Sequence, residues 1–260
     1  MDIVLAYILV FLAGISIGSF LNVLIYRLPR NEKFVFGRSY CPSCKEPIKF
    51  YDNIPLLSYL MLAGKCRNCR AAISFRYPLV ELLNGIIYVL FFGQYGLTMP
   101  FLVFSLLSSA LIVIFFVDID HQIIPDLITI PGMVIGLGVS LIPGGLGIVD
   151  SLIGLVVGGG VLYLVAVAGD WLFKKESMGG GDNKMAAMLG AFLGWQKVIY
   201  IFFAGAVIGL VVSIVLMLLS KRIRSTRVVP FGPFLALAAF TAIIYGDKII
   251  AFYLDNFLNI

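Results

Sequence analysis

Four acidic residues that border apolar segments are the first candidates for a catalytic site in this sequence. Asp118, Asp120 and Asp126 lie in VDIDHQIIPD, and Asp182 follows three glycines in SMGGGDNK. A carboxylate beside long apolar stretches is costly, so such residues are functional candidates. Two carboxylates held within a few ångströms cannot both ionise easily. The ionised one can then take a proton from water while the protonated one polarises a carbonyl, as in aspartic proteases.

From spacing alone, these carboxylates could also form a cation site or a transport relay, or be neutralised by lysines. The lysines nearest in sequence to Asp182 are Lys174, Lys175 and Lys184. On a helix, Asp118 and Asp120 point about 200° apart, so only one of them is expected to face Asp182. Residue types do not decide which one. The single histidine, His121, is expected to be solvated in a loop.

Four cysteines form a second candidate site, in the motifs CPSC (41–44) and CRNC (66–69). Four thiolates from two such turns can surround one zinc ion, and a site with four protein ligands is structural rather than catalytic. Two disulfides, or four unrelated thiols, are the alternatives. The basic residues around these cysteines predict a cytoplasmic location, where thiols stay reduced and disulfides are rare. We therefore predict a zinc site formed by Cys41, Cys44, Cys66 and Cys69.

The composition of the chain indicates that membrane helices carry these residues. The chain has 260 residues, of which 61% are hydrophobic and 13% charged. A soluble domain would carry about 25% charged residues, so we predict an all-α, polytopic membrane protein. Eight apolar segments are candidate spans, the sixth being short enough for a half-helix. They are 3–26, 79–97, 100–117, 127–142, 150–173, 184–196, 197–220 and 232–255. The apolar runs are continuous, which does not indicate strands.

The basic residues predict the orientation of these spans. With eight spans, residues 27–78 share one side with the acidic motifs, and 17 of the 19 basic residues fall there. By the positive-inside rule this side is cytoplasmic and both termini face out. The net charge of +5 is therefore a sign of topology and not of nucleic-acid binding. Residues 3–26 are too long for a signal-peptide core, so we expect them to remain as a span.

Five ordered motifs resemble the type IV prepilin peptidase family, the leader peptidases of type IV pilus and type II secretion systems. They are GSFLNVLIYRLP (18–29), the two CxxC pairs, RYPLVELL (76–83), DIDHQIIPD (118–126) and MGGGDNK (178–184). The resemblance implies a membrane aspartic protease of the GxGD kind, with Asp182 closing that motif. It also implies that Asp118, which opens the motif ending in Pro-Asp, is the second catalytic aspartate.

The resemblance further implies an activity, a location and partners. The family cleaves the basic leader of prepilins and pseudopilins after a glycine, at the cytoplasmic face of the bacterial inner membrane. These substrates enter as transmembrane helices from the lipid bilayer. Many members then methylate the new N-terminus with S-adenosylmethionine, and that activity is linked to an insert like residues 27–78. A bifunctional enzyme is therefore expected, whereas residues alone also allow a transporter or ion-binding protein with a zinc-stabilised loop.

These expectations divide the chain into a first span (1–26), a cytoplasmic zinc insert linked to methylation (27–78) and a transmembrane peptidase domain (79–260). Several polar residues lie where the insert joins its flanking spans, and they could order a methyl-donor pocket or bond helix ends. They are Asn22, Arg27, Arg76 and Glu81. Glycines inside spans one and five are expected to allow close helix packing. They are Gly14, Gly18, Gly158, Gly159 and Gly160.

Overall fold

A computed structural model describes residues 2–34, 37–174, 179–219 and 229–258. Lys175, Met178 of the glycine motif, Lys221, Arg222, Arg224 and Arg227 lie outside these ranges. Within them the chain is helical, without a strand beyond isolated bridges at Tyr40–Pro47 and Lys65–Ala72. The helices are α1 (Ile3–Arg27), α2 (Leu57–Met61), α3 (Arg76–Tyr95), α4 (Met99–His121), α5 (Asp126–Ser140), α6 (Ile148–Phe173), α7 (Gly180–Leu193), α8 (Trp195–Leu219) and α9 (Gly232–Tyr253).

Six helices of the described ranges are long and apolar enough to cross a membrane, namely α1, α3, α4, α6, α8 and α9. The all-helical membrane fold is therefore confirmed. The other two predicted spans are present as the shorter helices α5 and α7, of 15 and 14 residues. At 1.5 Å per residue, each is about 22 Å long, less than the roughly 30 Å hydrocarbon core.

The first of two compact units comprises Met1–Val117. In it α1 packs along α3, because Gly14 lies against Gly85 and Gly18 lies against Glu81. The predicted role of Gly14 and Gly18 in close packing is thus confirmed. A buried polar chain adds hydrogen bonds, since Asn84 donates to the Gly14 carbonyl at 2.7 Å and Ser109 donates to Asn84 at 2.8 Å. Such bonds stabilise helices where no water is available.

The insert between α1 and α3 has little apolar core of its own. Between residues 28 and 75, only Cys41 and Ser58 of the described side chains are buried. Polar contacts hold the insert in place instead. The buried Arg27 donates to the Lys33 and Arg38 carbonyls, and Arg67 makes a bidentate ion pair with Asp52. A segment of this kind depends on a cross-link or a metal for its stability.

The second compact unit comprises Asp118–Ile260, and α7 is its centre. Helix α7 contacts α5, α6, α8 and α9, and every described residue from Met185 to Ala191 is buried. Its closest partner is α6. A Cβ added at Gly154 or Gly158 of α6 would overlap the backbone of Gly190 or Ala186, so these helices touch backbone to backbone. Close packing is confirmed at Gly158, whereas a Cβ added at Gly160 would have no neighbouring atom within 4 Å.

This contact gives a stability prediction. Replacing Gly154 by Ala should lower the midpoint of thermal unfolding in detergent, since overpacking costs about 1–3 kcal/mol even where side chains can shift. Gly160→Ala in the same helix is the matched control. It should leave the midpoint unchanged or raise it, because Ala is the better helix former by up to about 1 kcal/mol. Equal effects of the two substitutions would contradict the close α6–α7 contact.

Candidate functional site

Asp118 lies near the C-terminal end of α4 and is 5% exposed. The backbone N–H of Gly232, the first residue of α9, donates a hydrogen bond to its carboxylate. A Cβ on Gly232 would stand 2.6 Å from Asp118 Oδ2, so a glycine is needed for this approach. The N-terminus of α9 thus holds the carboxylate, as the positive end of a helix dipole favours.

Asp182 lies in the first turn of α7, near Asp118. Its carboxylate accepts a hydrogen bond from the Gly179 N–H and lies close enough to Asp118 for their charges to repel. Asp182 Oδ1 is buried and has no hydrogen-bond partner among the described residues. Asn183 Oδ1, on the next residue, is also buried without a hydrogen-bond partner among the described residues. Buried polar atoms without partners are unusual, and they mark a place where a water or a substrate group can bind.

The other acidic residues of the first motif are directed elsewhere. Asp120 and His121 are exposed at the end of α4. Asp126 begins α5 and forms an ion pair with Lys184 Nζ, at 2.8 Å to each carboxylate oxygen. Of the three acidic residues in VDIDHQIIPD, the structure brings Asp118 together with Asp182.

The three glycines before Asp182 have different environments. None of them has a positive φ, and Gly180 and Gly181 already belong to α7, so a sharp turn is not their role. A Cβ on Gly181 would lie 2.9 Å from Ile124 Cβ, whereas one on Gly180 would meet nothing within 4 Å. Ile124 also touches Gly232. Gly181 and Gly232 therefore pack against one side chain, which links the starts of α7 and α9 to the two aspartates.

Replacing Gly181 by Val should slow leader cleavage about 100-fold, because displacement of reacting groups by about 1 Å costs this much. The added side chain must push Ile124 or the start of α7, and either movement separates Asp182 from Asp118. Gly180→Val is the matched control, and it should stay within about threefold of the parent rate, since β-branching costs little in a helix. A cleavage assay with a prepilin substrate measures the rate of each variant. A larger loss of rate in Gly180→Val than in Gly181→Val would refute the packing argument.

The four cysteines lie together, as the two CxxC motifs predict. Their sulfur atoms are all within 4.8 Å of one another, and Cys41 Sγ is 3.9 Å from Cys69 Sγ. A tetrahedral site with Zn–S bonds of about 2.3 Å requires sulfurs about 3.8 Å apart, so the cluster fits a metal ion. All four thiols are free, and no disulfide joins them.

The two cysteine turns repeat the same backbone pattern. Cys41 N–H donates to the Glu46 carbonyl and Lys45 N–H donates to the Cys41 carbonyl. The Cys66 turn makes the matching pair of bonds, to Ala71 and from Arg70. Lys45 and Arg70 share a left-handed backbone with φ of 60° and 59°. The sequence carries the same repeat, because CPSCKEPIKF (41–50) and CRNCRAAISF (66–75) have cysteines, a basic residue, an isoleucine and a phenylalanine at matching positions.

Backbone N–H groups in these turns favour thiolates. The N–H groups of Cys69 and Asn68 lower the pKa of the Cys66 thiol to about 7. The N–H of Glu46 lowers the pKa of Cys44. The N–H of Ala71 favours the Cys69 thiolate as well, but burial and the three neighbouring sulfurs together raise the pKa of Cys69 to about 11. Because the thiolate is the form that binds metals, the turns favour metal binding at Cys44 and Cys66.

A cavity of about 680 Å³ lies in the first unit, between the insert and the ends of α1 and α3 that join it. Aromatic side chains line it, among them Tyr26, Tyr40, Tyr59 and Tyr77. Three carboxylates also reach its wall. Glu46 is exposed, Asp52 is paired with Arg67, and Glu81 is 7% exposed. This volume lies in the range of small-molecule sites.

Sequence reasoning missed several residues that shape these sites. Gly232 begins α9 in the motif FGPF, where a proline just inside the helix indicated a helix start. Nothing in that motif indicated Asp118 as its partner. Ile124, and Leu56, whose backbone N–H donates to Glu81 in the wall of the cavity, carried no signal, because their roles depend on contacts made after folding.

Comparisons with known proteins agree with this arrangement. The family model described as "Bacterial Peptidase A24 N-terminal domain" matches residues 12–95, and that of the "Type IV leader peptidase family" matches residues 105–214. A protein from Aeromonas hydrophila named prepilin leader peptidase/N-methyltransferase is 39% identical over 98% of this chain and 96% of its own. Proteins of the same name from Pseudomonas aeruginosa and Neisseria gonorrhoeae are 36% and 35% identical, over 96% and 91% of this chain and 94% and 89% of their own. No solved structure matches.

Likeness of this degree over nearly the whole length, with both family models matched in order, shows that the chain belongs to the type IV leader peptidase family.

Proposed function

We propose that this chain cleaves the leader peptide of type IV prepilins and related pseudopilins, and then methylates the new N-terminal amine with S-adenosylmethionine. The observation that carries the first activity is the proximity of Asp118 and Asp182, two acidic residues on different helices whose carboxylates are close enough to repel each other. Asp182 Oδ1 is buried there without a hydrogen-bond partner among the described residues. The second activity rests on the names of the relatives and on the cavity beside the insert. Membership of this family does not favour a transporter or an ion-binding protein.

In the proposed cleavage, Asp118 and Asp182 are the catalytic pair. One carboxylate, ionised, takes a proton from the attacking water, while the other, protonated, donates a hydrogen bond to the scissile carbonyl. Their mutual repulsion supports this division, because it disfavours the state in which both are charged. The Gly232 N–H bond holds Asp118 in one orientation. Neither a metal nor a nucleophilic side chain is needed for this mechanism.

The substrate is proposed to arrive as a transmembrane helix with its basic leader in the cytoplasm. A peptide bond inside a helix is shielded, so the segment at the cut must unwind near the aspartates. A glycine before the cut favours unwinding, because it weakens a helix by about 1 kcal/mol relative to alanine. A bulky residue in place of that glycine should block cleavage.

The cavity beside the insert is the proposed site of methyl transfer. The tyrosines of its wall offer faces for stacking the adenine ring of the donor, and the carboxylates match its positive charges. S-adenosylmethionine supplies an activated methyl group when bound. The residues of the chain would hold the donor, exclude water and accept a proton from the amine.

The cysteine cluster is proposed to hold one structural zinc ion through Cys41, Cys44, Cys66 and Cys69. The distances between the sulfur atoms and the free thiols support this ligand set. The ion would fix the two turns of an insert that buries few apolar side chains. We assign the insert to residues 27–78, between the first span (1–26) and the peptidase domain (79–260).

We also propose eight membrane-embedded helices, in which α5 and α7 enter the bilayer without the length to cross it unaided. The burial of α7 among other helices supports this, because a short helix covered by protein is stable at membrane depth. The excess of basic residues on one side supports a cytoplasmic insert and cytoplasmic aspartates in a bacterial inner membrane.

One experiment tests the proposed function directly. Purified protein in detergent is incubated with a prepilin and S-adenosylmethionine, and the product is weighed by mass spectrometry. The expected product lacks the leader and carries one added methyl group, about 14 mass units, on the new N-terminus. An intact prepilin would refute the peptidase assignment, and a cleaved pilin without a methyl group would refute the transferase assignment.

A further inference from the structure

Glu81 is a buried carboxylate on the wall of the cavity, and its surroundings are unusual. Its Oε2 accepts a hydrogen bond of 2.8 Å from the Leu56 N–H, and the Ser19 hydroxyl also donates to it. Within the described chain, no lysine or arginine forms an ion pair with it. A buried carboxylate is costly unless a cation or several donors satisfy it. The missing cation can be supplied by a ligand of the cavity.

The backbone around Glu81 is adjusted to place it there. Leu56 has φ of 62° and ψ of −49°, a conformation that non-glycine residues rarely adopt, and in it the N–H points at Glu81. On the opposite side, a Cβ on Gly18 would lie 2.7 Å from Glu81 Cα, so α1 and α3 meet closely at this residue. Strained residues persist where the surrounding structure fixes them, and they often mark functional sites.

We propose that Glu81 is a catalytic residue of methyl transfer, which binds the N-terminal ammonium of the cleaved pilin and accepts a proton from it. This inference rests on the proposed function. The amine must be neutral to react, so an N–H bond breaks and its proton goes to Glu81. The nitrogen lone pair then forms the N–C bond, the C–S bond of the sulfonium breaks, and its electron pair stays on sulfur.

The position of Glu81 favours the amine over the sulfonium as its partner. It belongs to the membrane helix α3 and touches Ser19 of the membrane helix α1, so it forms the membrane-side end of the cavity. A pilin N-terminus is carried there by its own membrane helix. The methyl donor is soluble and enters from the aqueous side, where tyrosines of the insert such as Tyr40 and Tyr59 form the wall.

The other carboxylates of the cavity are less suited to this role. Asp52 already accepts both bonds of the Arg67 guanidinium. Glu46 is exposed, so water screens its charge and competes for its oxygens. Glu81 is thus the one carboxylate of the described wall that is both buried and without a cation.

The test is Glu81→Gln in the full chain, because glutamine keeps the size and can still accept from Leu56 and Ser19 but cannot take a proton. Three quantities are measured: methyl transfer to a pre-cleaved pilin, binding of S-adenosylhomocysteine by equilibrium dialysis, and cleavage of a prepilin. We expect transfer to fall about 10²–10⁴-fold, with nucleoside binding and cleavage within about twofold of the parent. Asp150→Asn is the matched control, since it also turns a carboxylate into an amide, and Asp150 is exposed in the first turn of α6, in the other unit.

Each other outcome overturns the assignment. Transfer within threefold of the parent would remove Glu81 from the chemistry. A tenfold loss of nucleoside binding would put its charge on the donor instead of the amine. A parallel loss of cleavage with a lower unfolding temperature would make Glu81 a structural residue. If the parent chain itself neither cleaves nor methylates, the proposed function fails, which is distinct from failure of the Glu81 role.

Discussion

Replacing Asp118 by Asn should reduce leader cleavage about 10²–10⁴-fold, the share that a positioned acid or base contributes. Asparagine has nearly the same shape and can still accept the Gly232 N–H bond, but it cannot exchange a proton. The fold should be retained, and the thermal midpoint should not fall, because the change removes a buried charge. Cleavage of a prepilin followed over time, with the unfolding curve of the same preparation, measures both effects.

Asp120→Asn is the matched control for this prediction. Asp120 lies two residues further along α4 and is exposed, so its substitution should leave the cleavage rate within about twofold. Asp182→Asn should behave like Asp118→Asn, since each carboxylate needs the other to share one proton. Normal cleavage by the Asp118 variant together with loss in the Asp120 variant would show that the other face of α4 carries the chemistry.

The sequence was most informative where residue type alone determines the role. Long apolar runs predicted every helix from α3 to α9 to within a few residues, because burial in lipid requires continuous apolar segments. Two CxxC turns predicted a four-sulfur cluster, since few other arrangements use that spacing. The four cysteines lie together as predicted, and Asp182 lies near Asp118. Their catalytic and metal-binding roles stay predictions.

What the sequence could not indicate depends on contacts between distant segments. Helix geometry left Asp118 and Asp120 equal, and the difference between them comes from Gly232, which lies far along the chain. Consecutive glycines are typical of a loop, yet Gly180 and Gly181 are helical, and Gly181 is needed for its contact with Ile124. The orientation of Leu56 toward Glu81 has no local signal either, because leucine does not favour positive φ.

Replacing Cys66 by Ser should separate the two activities. Loss of one thiolate removes most of the affinity for a structural zinc ion, whose binding supplies about 10–16 kcal/mol in small zinc domains. An insert with so few buried side chains cannot hold its fold without this contribution, so the cavity wall beside it should be lost. Methyl transfer to a pre-cleaved pilin should therefore fall below about 1% of the parent rate.

Leader cleavage should persist in the same variant, because the cysteines belong to the unit Met1–Val117 and both aspartates belong to the unit Asp118–Ile260. Metal analysis should find about one zinc per parent chain and almost none in the variant. Lys65→Ala is the control, since Lys65 is exposed, precedes Cys66 and does not line the cavity. Parent protein without metal and with paired cysteines would refute the zinc site. Equal loss of cleavage and transfer would mean that the peptidase needs the insert, because two independent sites cannot fail together when only one of them has lost its support.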